Sequence, residues 1–269
     1  MHLSIALRRI AVAVVAVGLV AGAVVVVLSF RHHAPPLPLC TVSSQTTTYT
    51  LDTDQTANST TIAAVGKRLG LPDHAVTVAL SAALQESRLR NLSYGDRDSL
   101  GLFQQRPSQG WGTPTEILTP SYAAAAFFHA LTRVPGWETL PVTVAAQKVQ
   151  ISGLPTAYAQ WEPQARALAI ALTGETAAGL TCRFALDRAQ APAPSFAAAM
   201  NNELGVSSLS APFKAKQGWT VASWMVGHAR VFRITTVSFA GHEWRASSGK
   251  WRASAPNDGL IRFTQQPGK

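Results

Sequence analysis

The segment from Asp73 to Arg90 carries apolar residues at helical spacing. Val76, Ala79 and Ala83 fall on one stripe of a predicted helix, and Glu86 continues that stripe. Charged residues are seldom buried unless they are paired or functional. Burial disfavours the ionised form of a carboxyl, which keeps it in the protonated form that a general acid needs. Glu86 is therefore a candidate catalytic residue; the alternative is a solvated residue in the last helical turn.

The same period predicts further short helices around one turn-rich segment. Residues 91–107 have the composition of a hairpin or loop, with Tyr94-Gly95-Asp96-Arg97-Asp98-Ser99 as favourable turn residues. A last helix begins near Pro212 and is followed by short apolar strands. The predicted fold class is α+β: a mainly helical domain and a small α/β C-terminal module. Predicted helices cover 60–69, 73–90, 122–133, 144–151, 157–172 and about 212–232; predicted strands cover 234–239, 242–246 and 260–263.

Three short motifs resemble the lysozyme-like superfamily, in particular goose-type lysozymes and soluble lytic transglycosylases. They are Gln85-Glu86-Ser87, Gly95-Asp96-Arg97 and Gly101-Leu102-Phe103-Gln104, where Phe103 stands at a position that is commonly Met. The resemblance is strong over residues 85–104 and extends more weakly to about Cys182. It implies a lysozyme-like domain that cleaves the β-1,4 bond of peptidoglycan.

The resemblance also implies roles for individual residues. Glu86 would protonate the glycosidic oxygen, and Asp96 would activate water in an inverting hydrolysis, which needs two separated carboxyls. Lytic transglycosylases need no second carboxylate, because the substrate's own hydroxyl closes an anhydro ring. Both products therefore stay open. Ser87 would position substrate or a neighbouring loop, and the saccharide cleft would be lined by Gly101, Leu102 and Gln104.

Two positions depart from the family pattern. Arg106 stands where goose-type lysozymes often have another aspartate, and Gln150 stands where transglycosylases have a tyrosine. Tyr158 follows nearby and could supply the missing hydroxyl. Because of these departures, a second interpretation is a weak or inactive lysozyme-like scaffold that binds wall glycan in a surface or secretion complex.

The N-terminal region predicts a membrane anchor. Ile10–Phe30 is an apolar run of 21 residues, long enough to span a bilayer, and Arg8 and Arg9 favour a cytoplasmic N-terminus. A cleaved signal peptide is the alternative, although its apolar region is usually shorter. The chain would then be a single-pass protein of the cell membrane with its C-terminal domains extracellular. In that oxidising compartment, the two cysteines, Cys40 and Cys182, predict a disulfide.

Composition along the chain predicts six segments. Residues 56–182 are nearly neutral, with nine Lys/Arg against eight Asp/Glu, whereas 211–269 carry nine against two and account for most of the net charge of +9. Such a basic module could attract anionic wall polymers, and its extracellular location argues against nucleic acid. The segments are a cytoplasmic tail (1–9), a transmembrane helix (10–30), a stalk (31–55), the lysozyme-like domain (56–182), a Pro/Ala linker (183–210) and the basic α/β module (211–269).

Metal and cofactor chemistry finds no support in the sequence. The seven histidines are scattered and form no His-Glu-x-x-His motif, and there is no Cys/His cluster or phosphate-binding loop. No cofactor is expected. The predicted partners are peptidoglycan glycan strands, the membrane through residues 10–30, and anionic wall polymers.

Overall fold

The chain has an α+β fold in a computed structural model that describes residues 38–43, 47–154, 156–185, 195–253 and 256–266. These ranges belong to one compact unit, Leu37–Lys269, and contain eight α-helices and two antiparallel sheets. No helix within them is long and apolar enough to cross a bilayer. The predicted span, Ile10–Phe30, lies outside the described residues.

Helix α2 (Asp73–Ser87) is the central helix of the fold and packs against the helices at Val142–Gln150 and Glu162–Leu172. Every residue from Ala75 to Leu84 is buried, so the predicted single apolar stripe is in fact a helix enclosed on all sides. Small alanine side chains allow neighbouring helices to approach it closely. The other helices are α1 (Thr53–Arg68), α3 (Pro114–Ile117), α4 (Pro120–Leu131), α5 (Val142–Gln150), α6 (Glu162–Leu172), α7 (Phe196–Leu204) and α8 (Ala215–Gly227), with short 3-10 turns at Pro107–Gln109 and Ala159–Trp161.

The first sheet contains β1 (Leu39–Ser43), β2 (Thr48–Leu51) and β3 (Leu180–Arg183) in the order β2-β1-β3. Cys40 and Cys182 lie directly opposite each other on β1 and β3, and the predicted disulfide between them is confirmed. The described part of the predicted stalk is therefore not a free spacer. Its apolar and β-branched residues pair into a sheet whose inner side chains are buried.

The second sheet contains β4 (Ile234–Phe239), β5 (His242–Arg245), β6 (Lys250–Ala253) and β7 (Arg262–Gln265) in the order β6-β5-β4-β7. Helix α8 packs on one face, where Gly218 lies so close to the ring of Phe239 that no side chain would fit. The indole nitrogens of Trp244 and Trp251 donate to the carbonyls of Cys182 and Leu180 at 3.1 and 2.8 Å. The C-terminal module thus shares its core with the helical region, and these tryptophans pack rather than form a binding surface.

Part of the predicted linker also folds. Helix α7 packs against α1, and Phe196 in it contacts the rings of Trp224, Phe232 and Phe263. The Ser195 hydroxyl accepts a hydrogen bond from the third residue of this helix and caps it. The Pro/Ala-rich residues 186–194 lie outside the described ranges.

Candidate active site

Glu86 lies half-buried in the last turn of α2, where the helix meets an open polar groove of about 880 Å³. The hairpin segment 96–106 forms part of one wall, and the end of α5 with the turn after it forms another. The groove brings together four residues predicted from the sequence: Glu86, Asp96, Gln104 and Gln150.

A hydrogen bond from the buried side chain of Tyr158 fixes the Glu86 carboxyl. Its hydroxyl donates a hydrogen bond of 2.7 Å to Oε1 of Glu86, and its side chain is fully buried. The Ser81 hydroxyl donates to the Tyr158 carbonyl at 2.8 Å, which fixes the backbone of the tyrosine against α2. Burial raises the pKa of Tyr158, the hydrogen bond and charge of Glu86 raise it further, and the Ser152 hydroxyl opposes them weakly. Tyr158 therefore keeps its proton and remains a donor to Glu86.

The turn that ends α2 sets the position of Glu86. Arg88 and Leu89 are both left-handed, with φ of 55° and 61°, a conformation that costs about 1–2 kcal/mol in a non-glycine residue. Side chains of α1 stabilise both carbonyls: Gln55 Nε2 donates to Arg88 O at 2.9 Å, and Asn58 Nδ2 donates to Leu89 O at 2.8 Å. The strained turn is thereby anchored from a different helix.

Ser87, Gly101 and Leu102 hold the loop and are not among the residues that line the groove. The Ser87 hydroxyl contacts the Leu102 carbonyl at 2.8 Å, and the Leu102 side chain is fully buried. Gly101 has φ of 77°, and a Cβ there would lie 2.7 Å from the Ile117 carbonyl oxygen. In this structure Gly101 and Leu102 fix the backbone of the motif, as Ser87 does, and their expected role in lining the cleft stays a prediction.

Two glutamines line the groove and also brace its walls. Gln104 Nε2 donates to the carbonyls of Tyr94 and Gly101 at 3.3 and 3.2 Å, and Gln150 Nε2 donates to Phe103 O at 2.8 Å. Within the described residues, the side-chain amide of Gln150 donates to this carbonyl and forms no hydrogen bond with the Glu86 carboxyl. That contact comes from Tyr158.

The two carboxylates of the hairpin, Asp96 and Asp98, differ from Glu86 in their exposure or in their partners. The Asp96 side chain is 93% exposed, and its nearest cation is Arg97 at 3.9 Å. Asp98 accepts from Arg106 Nε at 2.7 Å and from the Ser108 backbone N–H at 2.8 Å, which hold its pKa well below the usual range. Arg106, the departure from the goose-type pattern, thus forms an ion pair with Asp98. Within the described residues, the acidic residues that line this groove are Glu86, which is half-buried, and Asp96, which is exposed.

The sequence did not predict the residues that support the end of α2 and whose partners are distant in sequence. Gln85 Oε1 accepts from Trp161 Nε1 at 2.8 Å, and the Arg88 guanidinium lies 3.8 Å from the centre of the Trp161 ring. Gln55 and Asn58 belong to the same group. Their partners are more than thirty positions away in sequence, so no local pattern could identify them.

Two comparisons with known proteins return no relative: no protein-family model matches the chain, and no curated protein is similar to it. Across the part of the chain that the structure describes, no group of three or more His, Cys, Asp or Glu side chains could hold a metal ion.

Proposed function

We propose that this protein cleaves the β-1,4 glycosidic bond of peptidoglycan, with Glu86 as the general acid. The observation that carries the proposal is one half-buried carboxyl in a polar groove, held by a buried tyrosine hydroxyl. The resemblance of residues 85–104 to the lysozyme-like superfamily supports the same conclusion. The finer assignment within the α+β class, a lysozyme-like domain, is part of this proposal.

The hydrogen bond from Tyr158 gives the two carboxyl oxygens of Glu86 different roles, one as its acceptor and the other as the proton donor. Oε1 accepts from the tyrosine, so Oε2 is the oxygen left to carry a proton to the glycosidic oxygen. The bond from the anomeric carbon to that oxygen breaks as the proton is transferred. The hydrogen bond from the Tyr158 hydroxyl to Oε1 holds the Glu86 carboxyl in one orientation throughout this step.

The geometry favours the transglycosylase reaction over hydrolysis. In that reaction a hydroxyl of the substrate bonds to the anomeric carbon, its proton passes to the Glu86 carboxylate, and the acid is regenerated. An inverting hydrolysis would instead need a second carboxylate positioned for water. Asp96 lies in the same groove, but its side chain is 93% exposed and, among the described residues, its ion-pair partner is the exposed Arg97 at 3.9 Å. We therefore infer that the main product is an anhydro sugar.

The proposed cellular setting follows from the sequence. Residues 10–30 would anchor the chain in the cell membrane, with the groove facing the wall. Arg245, Lys250 and Arg252 are exposed on β5 and β6, which supports attraction of anionic wall polymers to this sheet. Because the tryptophans of the module are in the core, this attraction would rest on charge alone.

Digestion of purified peptidoglycan by the intact chain tests the proposal, with released fragments analysed by mass. Anhydro products, lighter than reducing products by one water molecule, are expected. Reducing ends would overturn the transglycosylase assignment and restore a role for Asp96. Strand binding without release of fragments would overturn the enzymatic assignment and leave the scaffold interpretation.

A further inference from the structure

A pocket of about 430 Å³ lies beside the start of α2, whereas Glu86 is in the last turn of that helix. The ends of α1, α6 and α7 and the first turns of α8 form its walls. None of its lining residues lines the groove that contains Glu86. Sites for one small ligand have volumes of about 300–1,000 Å³. The pocket is therefore separate from the candidate active site and large enough for a small molecule. We call it the lysine pocket.

Three lysines give the lysine pocket its charge. Lys67, Lys214 and Lys216 line it, and no acidic residue is among its described lining residues. Asp73 lies next to the pocket and pairs with two of them: its carboxylate accepts from Lys67 Nζ at 2.8 Å and from Lys216 Nζ at 2.6 Å. One carboxylate thus balances one of three ammonium charges. The pocket therefore favours an anion with more than one negative charge.

The same lysines have hydrogen-bond donors that the fold does not use. An ammonium group carries three N–H donors. Lys67 uses two of them, on the Leu71 carbonyl and on Asp73, and Lys216 uses one, on Asp73. The side chain of Lys214 is exposed and has no partner within the described residues. Because Asp73 already holds two of the ammonium groups in place, a bound anion would have to order only the third.

Contacts between α6 and α8 make the walls of the pocket rigid. Gly174, just after α6, lies so close to the Lys216 carbonyl that a Cβ would not fit between them. The Ser223 hydroxyl donates to the Ala171 carbonyl at 2.9 Å and joins the same two helices one turn further on. The lysine pocket therefore does not need to be assembled by its ligand.

Apolar side chains line the remainder of the pocket. Val221 is fully buried, and Leu204 and Val206 are half-buried. An inorganic ion on the lysines would leave this apolar surface in contact with water. A ligand that carries an apolar group next to its charge would cover the surface and gain free energy from its burial.

We propose that the lysine pocket binds a small organic phosphate, with the phosphate group on the three lysines and the attached apolar group on Leu204, Val206 and Val221. Lysine suits phosphate because its ammonium group is a compact point charge. A phosphate monoester carries about 1.5–2 negative charges at neutral pH, which matches the unbalanced charge of the lysines better than a single carboxylate does. The site does not depend on the reaction proposed for Glu86.

Calorimetric titration of the intact chain in neutral detergent at about pH 8 tests the proposal, since a phosphate monoester is then a dianion. We expect phenyl phosphate to bind with a Kd of about 0.1–1 mM, and inorganic phosphate to bind at least about tenfold more weakly. Benzyl alcohol, which has the ring without the charge, should show no binding. Added salt should weaken the binding of phenyl phosphate, and bound phenyl phosphate should raise the midpoint of thermal unfolding.

Two variants separate the contributions of charge and of apolar contact. Lys214→Gln removes an ammonium group that the fold does not use, so it should weaken phenyl phosphate about fivefold and leave the thermal unfolding of the free protein unchanged. Val206→Ala should weaken phenyl phosphate about threefold and leave inorganic phosphate unchanged. The matched control is Lys148→Gln, which removes an exposed cation that does not line the lysine pocket and should change neither affinity.

A soluble phosphate ester and a lipid headgroup share this chemistry, and dihexanoyl phosphatidic acid distinguishes the two sources. We expect it to bind more weakly than phenyl phosphate, because its two acyl chains exceed the small apolar surface of the pocket; tighter binding would assign the site to a lipid headgroup. No binding of phenyl phosphate or of this lipid below about 10 mM would overturn the proposal. So would equal affinity of wild type and Lys214→Gln for phenyl phosphate.

Discussion

The Tyr158 hydroxyl donates a hydrogen bond of 2.7 Å to Oε1 of Glu86, although the two residues are 72 positions apart. Tyr158→Phe removes this bond with almost no change in volume and leaves the Glu86 carboxyl free to rotate. We expect the rate of peptidoglycan cleavage to fall about tenfold or more, since positioned acid catalysis contributes about 10²–10⁴-fold. Strand affinity should change little, because Tyr158 is fully buried and does not line the groove. An unchanged rate would show that the hydrogen bond has no role in the reaction.

The same tyrosine predicts a loss of stability at alkaline pH. Burial and the adjacent Glu86 raise the pKa of Tyr158 in the folded state above its unfolded value of about 10. Because the pKa is raised in the folded state, the contribution of Tyr158 to stability is complete below the unfolded pKa. It is lost as the pH rises from the unfolded pKa through the folded one. Between pH 9 and pH 11, roughly the range around the unfolded pKa, the free energy of unfolding measured with urea should therefore fall more for wild type than for Tyr158→Phe. Parallel curves for the two proteins would contradict this expectation.

Asn58 is expected to support both stability and activity. Asn58→Ala leaves the carbonyl of Leu89, a buried left-handed residue, without its side-chain donor, which should cost about 1–3 kcal/mol in the free energy of unfolding. Because this turn positions Glu86, the cleavage rate should also fall. Asn202→Ala is a matched control, since Asn202 Nδ2 bonds the Ser121 hydroxyl away from the site. It should lower stability slightly without lowering the rate, and an equal loss of rate in both variants would refute the positioning role.

Asp73 links α1, α2 and the C-terminal module through ion pairs that are lost at acidic pH. Burial opposes ionisation of its carboxylate, but hydrogen bonds from the Lys216 and Lys67 ammonium groups outweigh burial and lower its pKa to about 2. A lowered pKa contributes stability above the unfolded value of about 4, and that stability is lost as the pH falls toward 2. Asp73→Asn should cost about 2 kcal/mol in the free energy of unfolding at pH 7 and much less at about pH 2, measured with urea. A cost that does not depend on pH would exclude the ionic contribution.

Local patterns predicted the features that depend on neighbouring residues. Pro72 and the apolar period identified the start of α2, and the only two cysteines identified the disulfide. The boundaries of β4 were predicted in full. In each case the determining residues are close in sequence or unique in type.

Features that depend on distant residues could not be predicted in the same way. The pairing of β1 with β3 joins segments 142 positions apart at the disulfide, so a Pro/Ser/Thr-rich composition suggested a stalk where the chain forms strands. Helix α7 was not predicted, because it lies in a segment called a Pro/Ala linker. Its stability comes from contacts of Phe196 with the C-terminal module. Arg106 was recognised as a departure from the family, but its pairing with Asp98 needed the folded hairpin.

The central claim is that one half-buried carboxyl, Glu86, carries out the chemistry while Asp96 does not. The most direct measurement is the initial rate of peptidoglycan cleavage by Glu86→Gln and Asp96→Asn, each compared with wild type under identical conditions. We expect the first substitution to lower the rate about a thousandfold, as for a lost general acid, and the second to change it by less than about threefold. A large loss in Asp96→Asn, or an unchanged rate in Glu86→Gln, would contradict the account.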